Sequence, residues 1–124
     1  MRPIFTEAAP KPVGPYSQAV LSGFTVYGSG QIAINPATGL MVQDSIEAET
    51  QQVIDNIEAV LAEARMGLEN VVKATIFLTD INDFAAVNAV YGKAFPENSP
   101  ARSCVQVAAL PKGARVEIEY IATK

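Results

Sequence analysis

Two residues near the end of the chain carry most of the chemistry this sequence can offer. Arg102 stands in Pro100-Ala101-Arg102-Ser103-Cys104, and Glu117 in Val116-Glu117-Ile118-Glu119-Tyr120. A guanidinium presents a rigid planar fork that takes a carboxylate through two parallel hydrogen bonds. A lone arginine on a strand is as readily a surface ion pair, and residue type alone leaves the two readings level. A carboxylate on an otherwise apolar strand can serve as a general base or orient a water if the site is enclosed. Strand alternation puts Glu117 and Glu119 on one face and does not choose between them.

The rest of the composition narrows the chemistry. The 124 residues include no histidine and one cysteine. Ser-His-Asp and Cys-His nucleophile systems are thereby excluded, as are ordinary zinc sites. Cys104 shares the Arg102 face of its strand but has no base beside it, so it reads as a small buried hydrophobe before a nucleophile. Tyr16 can bring a hydroxyl to a site, though buried tyrosines are common. Lys73 and Lys112 would form a Schiff base only if desolvated, and the turn setting of Lys112 argues against it. The formal charge of −4 and the lack of a long basic run argue against nucleic acid as the main partner. No apolar run approaches the ~20 residues of a membrane span. The N-terminus lacks a secretory pattern, and a single cysteine fits a reducing, cytoplasmic setting.

The elements that must position Arg102 and Glu117 follow from periodicity. Met1 to Val13 reads as an extended arm. A strand opens at Gly14-Pro15-Tyr16, turns at Ser22-Gly23 and returns through Phe24 to Gly28. Ser29-Gly30-Gln31-Ile32 follows, its glycine marking a bulge or a close backbone approach. Asp44, with Glu47 three residues on, is the expected cap of a helix whose stripe is Ile46, Val53, Ile54, Ile57, Val60, Leu61 and Ala64, ending at Gly67. Val71 to Thr79 alternates as a central strand. Asp80 to Asn82 caps a second helix with the stripe Phe84, Val87, Asn88, Tyr91 and Phe95, stopped by Pro96. Asn88 inside that stripe implies a buried amide in need of partners. Ala101 to Ala109 and Arg115 to Ala122 are the last strands. The expected fold is a single α+β domain over residues 1–124, a mixed sheet with two helices on one face. The other face still carries apolar residues, so a closed homo-oligomer is expected to bury it.

A simple hairpin around Lys112-Gly113 would leave Arg102 and Glu117 on the order of 15–20 Å apart at strand rise. Two groups so separated cannot hold one small molecule. Either the strands are not neighbours, or the two residues meet from different subunits.

Several segments resemble the signatures of the reactive intermediate deaminase family, also called Rid or YjgF. They are Gly14-Pro15-Tyr16-Ser17-Gln18, Ser29-Gly30-Gln31-Ile32, Phe84-Ala85-Ala86-Val87-Asn88, Pro100-Ala101-Arg102-Ser103-Cys104-Val105 and Val116-Glu117-Ile118-Glu119. The resemblance implies a chorismate-mutase-like α+β fold and a homotrimer with clefts between subunits. It implies hydrolysis of 2-imino acids such as 2-iminobutanoate and 2-iminopropanoate, and of their enamine tautomers, to 2-keto acids and ammonia. Such intermediates leak from pyridoxal-phosphate enzymes acting on serine or threonine. Carried over by position, Arg102 would bind the substrate carboxylate and Glu117 would hold the attacking water. Tyr16 would line the cleft, Ser29, Gly30 and the Cys104 backbone would contact ligand, and Asn88 would support the site. No cofactor or metal is expected, because an iminium carbon is already electrophilic and needs only orientation and a positioned water. The alternative is a non-catalytic module that senses keto acids in the same cleft. A ribonuclease is the third reading, disfavoured by the acidic charge and absent histidine. Gln106 stands where many members carry an acid, and Arg65 interrupts a usually small-residue helix end.

Overall fold

The computed structural model describes residues 1–124. Its six strands are β1 (Arg2–Ile4), β2 (Ala19–Ser22), β3 (Thr25–Gln31), β4 (Val71–Leu78), β5 (Ala101–Gln106) and β6 (Val116–Thr123). They form one sheet in the order β1-β2-β3-β6-β4-β5. Only β4 and β5 pair in parallel; the other neighbours are antiparallel. Two helices, α1 (Ile46–Glu63) and α2 (Phe84–Ala94), pack on one face. The α+β arrangement expected from the sequence is the one observed.

Alternation decides what each strand shows to that core. Ala74, Ile76 and Leu78 of β4 and Val116, Ile118, Tyr120 and Ala122 of β6 are all buried beneath the helices. Val53, Ile54, Ile57, Val60 and Leu61 of α1 meet them, none more than 4% exposed. Burying an aliphatic side chain of this size stabilises by about 1.5–3 kcal/mol, so this layer is what holds the helices down.

The opposite face has no such cover. By register Tyr27 lies beside Ile121, and Phe77 beside Val105 and Glu117. Tyr27 and Val105 are 49% and 44% exposed. This is the surplus apolar face that the sequence implied.

Several boundaries differ from the sequence reading. The arm contains β1, which pairs with β2. The first hairpin strand begins at Ala19, not Gly14, because the Gly-Pro-Tyr segment bends before it joins the sheet. Ser45, not Asp44, caps α1: its hydroxyl accepts from the Ala48 N–H at 3.0 Å, so the expected pairing with Glu47 does not form. The helix stops at Ala64, with Arg65 in the left-handed region (φ 58°), while Gly67 opens a short 3₁₀ turn, Leu68–Asn70. Asp80 caps a 3₁₀ turn ahead of α2, accepting from the Asn82 N–H at 2.9 Å. Gln106 ends β5 by accepting from the Ile81 N–H at 2.8 Å, so the strand is shorter than expected.

The largest topological difference concerns the last two strands. They are not a hairpin, because β4 lies between β5 and β6. Of the two possibilities left by the spacing, non-neighbouring strands are what the fold adopts.

Candidate active site

Glu117 lies at the floor of a cleft of about 480 Å³ on the helix-free side. That volume is within the range of small-molecule sites. Tyr16, Ser29, Gly30 and Ile32 wall it, with Lys11 and Lys112 toward one end. The register of β3 against β6 breaks between Gly28 and Gln31, the irregularity its glycines suggested. A Cβ on Gly30 would fall 2.2 Å from Glu117 Oε2, so any larger residue there would displace this carboxylate from its place. Ser29 is locked in the bulge: its hydroxyl donates to the Ser17 carbonyl at 2.6 Å, and its N–H to the Gln18 carbonyl at 3.0 Å.

Glu117 has no hydrogen-bond partner within the chain, although it is half-buried. Desolvation, and secondarily repulsion from Glu119, hold its carboxyl above the ordinary glutamate range. A poorly solvated carboxylate with free acceptor sites is the arrangement a water-orienting base requires.

Arg102 sits elsewhere. It pairs in register with Ala74, whose side chain faces the helices, whereas Glu117 pairs with Phe77 on the other face. The two side chains leave opposite sides of the sheet. Their Cα positions are offset by two strand spacings, about 10 Å, and by three residues along the strands, about another 10 Å.

Helix α2 builds the surroundings of Arg102. Its guanidinium carbon lies 4.9 Å from the Tyr91 ring centroid and 5.5 Å from that of Phe84. One terminal nitrogen donates to Asn88 Oδ1 at 2.7 Å. These aromatic faces and the neutral amide orient the cation while leaving it without a carboxylate partner. Asn88 is exposed, not buried as its place in the stripe suggested, because it meets Arg102 of β5, the edge strand of the sheet. Cys104 lies on the same face, opposite Ile76. Burial pushes its thiol upward against the opposing influence of Arg102, which keeps it protonated near neutrality and argues against a nucleophile.

The structure therefore sorts the sequence candidates into two groups. Tyr16, Ser29, Gly30 and Glu117 share the cleft; Arg102, Asn88 and Cys104 share the α2–β5 edge.

Supporting residues that sequence reasoning missed hold the cleft in shape. Gln18 is only 2% exposed; it accepts from the Thr6 N–H at 2.8 Å and donates to the carbonyls of Thr6 at 3.0 Å and Pro10 at 2.9 Å. It thereby sews the N-terminal arm to the cleft wall. Asn56 of α1, 1% exposed, donates to the carbonyls of Ile32 and Ile34 at 3.1 and 2.9 Å and holds the segment after the bulge. Glu49 of α1 is fully buried; its two oxygens accept from the Arg115 side-chain Nε and backbone N–H, each at 2.7 Å. The signal for Glu49 was present: it stands three residues after Ile46 and four before Val53, inside the apolar stripe, where a charge needs a buried partner.

Comparison with known proteins identifies the family and the fold. The sequence model of the family described as Endoribonuclease L-PSP matches residues 6–124. A RutC family protein of Pyrococcus abyssi is 51% identical over 121 residues, covering 98% of this chain and 95% of that protein. A protein of Capra hircus named 2-iminobutanoate/2-iminopropanoate deaminase is 52% identical over 123 residues, covering 99% and 90%. The crystal structure of RidA from an Antarctic Psychrobacter species superposes with a TM-score of 0.96 at 46% identity over the whole of both chains. The chain belongs to the endoribonuclease L-PSP family, the Rid or YjgF proteins.

Proposed function

We propose that this protein is a 2-iminobutanoate/2-iminopropanoate deaminase, a cytoplasmic hydrolase that releases 2-keto acids and ammonia from imines and their enamine tautomers. One observation carries the reading: a half-buried, unpartnered carboxylate faces a small-molecule cleft, while the cation suited to a substrate carboxylate is displayed at another edge of the same chain. The two functions are complementary and the groups diverge within one copy. A site that uses both needs Glu117 from one copy and Arg102 from the next.

A homotrimer supplies that arrangement with every cleft equivalent, and it covers the apolar face around Tyr27, Phe77 and Val105. In it Arg102 grips the carboxylate of the 2-imino acid through its fork, and Asn88 keeps the fork aimed. Tyr16, Ser29, Gly30 and the Cys104 backbone shape the space around the imine. Glu117 accepts a proton from a water as its oxygen bonds to the imine carbon and the C=N π electrons move to nitrogen. The carbinolamine then collapses: Glu117 returns its proton to nitrogen, then takes the proton of the carbinolamine hydroxyl as C=O forms and the C–N bond breaks, and ammonia and the 2-keto acid leave. Neither a metal nor a covalent intermediate enters this sequence, and the substrate carbon supplies the electrophile. Deaminase-named relatives at about half identity support the same reading.

The test generates 2-iminobutanoate in situ from threonine with a dehydratase and follows 2-ketobutanoate. The parent chain is expected to accelerate its release over buffer, and Arg102→Ala to lose at least about 100-fold of that acceleration, as two charge-assisted hydrogen bonds are removed. A parent no faster than buffer would favour a keto-acid-binding module.

A further inference from the structure

The cleft does not end at Glu117. A second cavity of about 240 Å³ adjoins it at Pro10 and Ile34, reaching Glu7, Pro36 and Gly39. Pro10, Lys11, Val13, Ile34 and Lys112 line both spaces. The two lysines come from segments a hundred residues apart and converge at the junction. Neither has an ion-pair or hydrogen-bond partner in the chain, whose one salt bridge is Arg115–Glu49.

The backbone beside each lysine is pinned by side chains from elsewhere in the chain. Lys11 directly follows Pro10, whose carbonyl is bound by buried Gln18, and Pro12 after it confines its backbone to extended forms. Lys112 is in the left-handed region (φ 57°), a conformation that costs a non-glycine residue energy and persists only where its surroundings impose it. The surroundings are identifiable. Gln43 donates to the Gly113 carbonyl at 3.0 Å, and Glu49 takes the Arg115 N–H two residues later. Both contacts pin the loop just after Lys112, which is thereby displayed at the junction. Two exposed ammonium groups against the single carboxylate of Glu7 in the annexe favour an anion.

We propose that this annexe is a subsite for a second carboxylate on the substrate, so that the protein accepts imines of acidic amino acids. The proposal rests on the deaminase reading for its catalytic consequence, not for its binding chemistry. Glu117 addresses the imine carbon, a neighbouring copy's Arg102 takes the α-carboxylate, and Lys11 with Lys112 takes the distal one.

The test uses the full chain in its native assembly, with succinate and butanoate as non-hydrolysable probes followed by calorimetric titration. Succinate is expected to bind at least tenfold more tightly than butanoate. That preference should vanish in Lys11→Gln/Lys112→Gln and persist in Lys11→Arg/Lys112→Arg. Glutamine meets the same left-handed backbone at position 112 as lysine does; should the double variant still fail to fold, Lys11→Gln alone, at an exposed position, carries the test. Equal affinity for the two probes, or a preference that survives both glutamines, overturns the subsite. Inorganic phosphate that matches succinate and is lost with the same variants overturns the assignment to a substrate carboxylate in favour of a free anion.

A kinetic arm uses imines released in situ by oxidases from aspartate and from alanine. The ratio of kcat/KM for the acidic over the neutral imine should fall at least tenfold in the double glutamine variant; an unchanged ratio overturns the catalytic role. If neither imine outpaces buffer while the succinate preference holds, the deaminase reading fails and the anion subsite stands.

Discussion

Arg115 and Arg102 show two opposite uses of the same side chain. At the junction of α1 with the start of β6, Arg115 donates through Nε to Glu49 at 2.7 Å and through a terminal nitrogen to the Gln43 carbonyl at 3.0 Å. The carboxylate it meets is fully buried and accepts the Arg115 N–H as well. At the α2–β5 edge, Arg102 has one neutral amide and two aromatic faces. The carboxylates differ in the same way. Glu49 has its lone pairs occupied; Glu117 has none occupied and is held above the ordinary glutamate range by burial. A charge whose partners are complete is part of the scaffold. A charge that is oriented but left incomplete is available to a ligand.

The scaffold side of this contrast should break first and hardest. Glu49→Ala removes the fully buried carboxylate of a pair whose arginine side chain is 38% exposed, and leaves the Arg115 N–H and the Gln43 amide short of acceptors. It is expected to cost about 2 kcal/mol of unfolding free energy, read as a lower denaturation midpoint in urea. Arg102→Ala should move the same midpoint by less than about 1 kcal/mol. If the two variants unfold alike, the distinction between scaffold charge and site charge is wrong.

Arg102→Lys sharpens the other side. Lysine keeps the cation but loses the fork and the flat stacking on Tyr91 and Phe84. Imine hydrolysis should fall by about 10–100-fold with stability unchanged. Activity near that of the parent would show that charge alone is needed there.

The smallest effect concerns the carboxylates and tests the cause of the Glu117 shift. A base must be ionised to work, and a raised Glu117 places the acid limb of the pH–rate profile above the usual glutamate range. Removing the repulsion with Glu119→Gln should move that limb to lower pH but not back to the ordinary glutamate range, because desolvation is the larger cause. The stability effect carries the same sign. A carboxyl whose folded value is raised contributes stability below its unfolded value, and loses it as pH rises through the folded value. The parent should therefore lose a little stability across that window, and Glu119→Gln should lose less. A limb that stays in place, or moves upward, would show that Glu119 does not act on Glu117.

Much of the architecture could be read before the structure because its signals are local. The α1 stripe, the alternation of β4, the Ser22-Gly23 turn and the glycine of the bulge each depend on residues within a few positions of one another. The misplaced boundaries were local too, but set by competition. Ser45 outcompetes Asp44 as a cap by one residue, and the segment around Tyr16 bends instead of pairing because its neighbour Gln18 is committed to the arm. Glu49 was readable as a charge in an apolar stripe, yet its partner stands 66 residues away, and nothing local points to it.

What the sequence determined by itself was the chemistry available: no histidine, one cysteine with no base beside it, an arginine and two carboxylates on otherwise apolar strands, and a glycine marking a bulge or a close backbone approach. What only the tertiary structure decided was where those groups face. Inserting β4 between β5 and β6 is a pairing of strands distant along the chain, and strand order is not encoded in any one strand's alternation. That insertion, with the three-residue offset of register, sends Arg102 toward the helices and Glu117 toward the open face. Period-two geometry makes the separation absolute within one copy, because a strand residue can face only one side of its sheet.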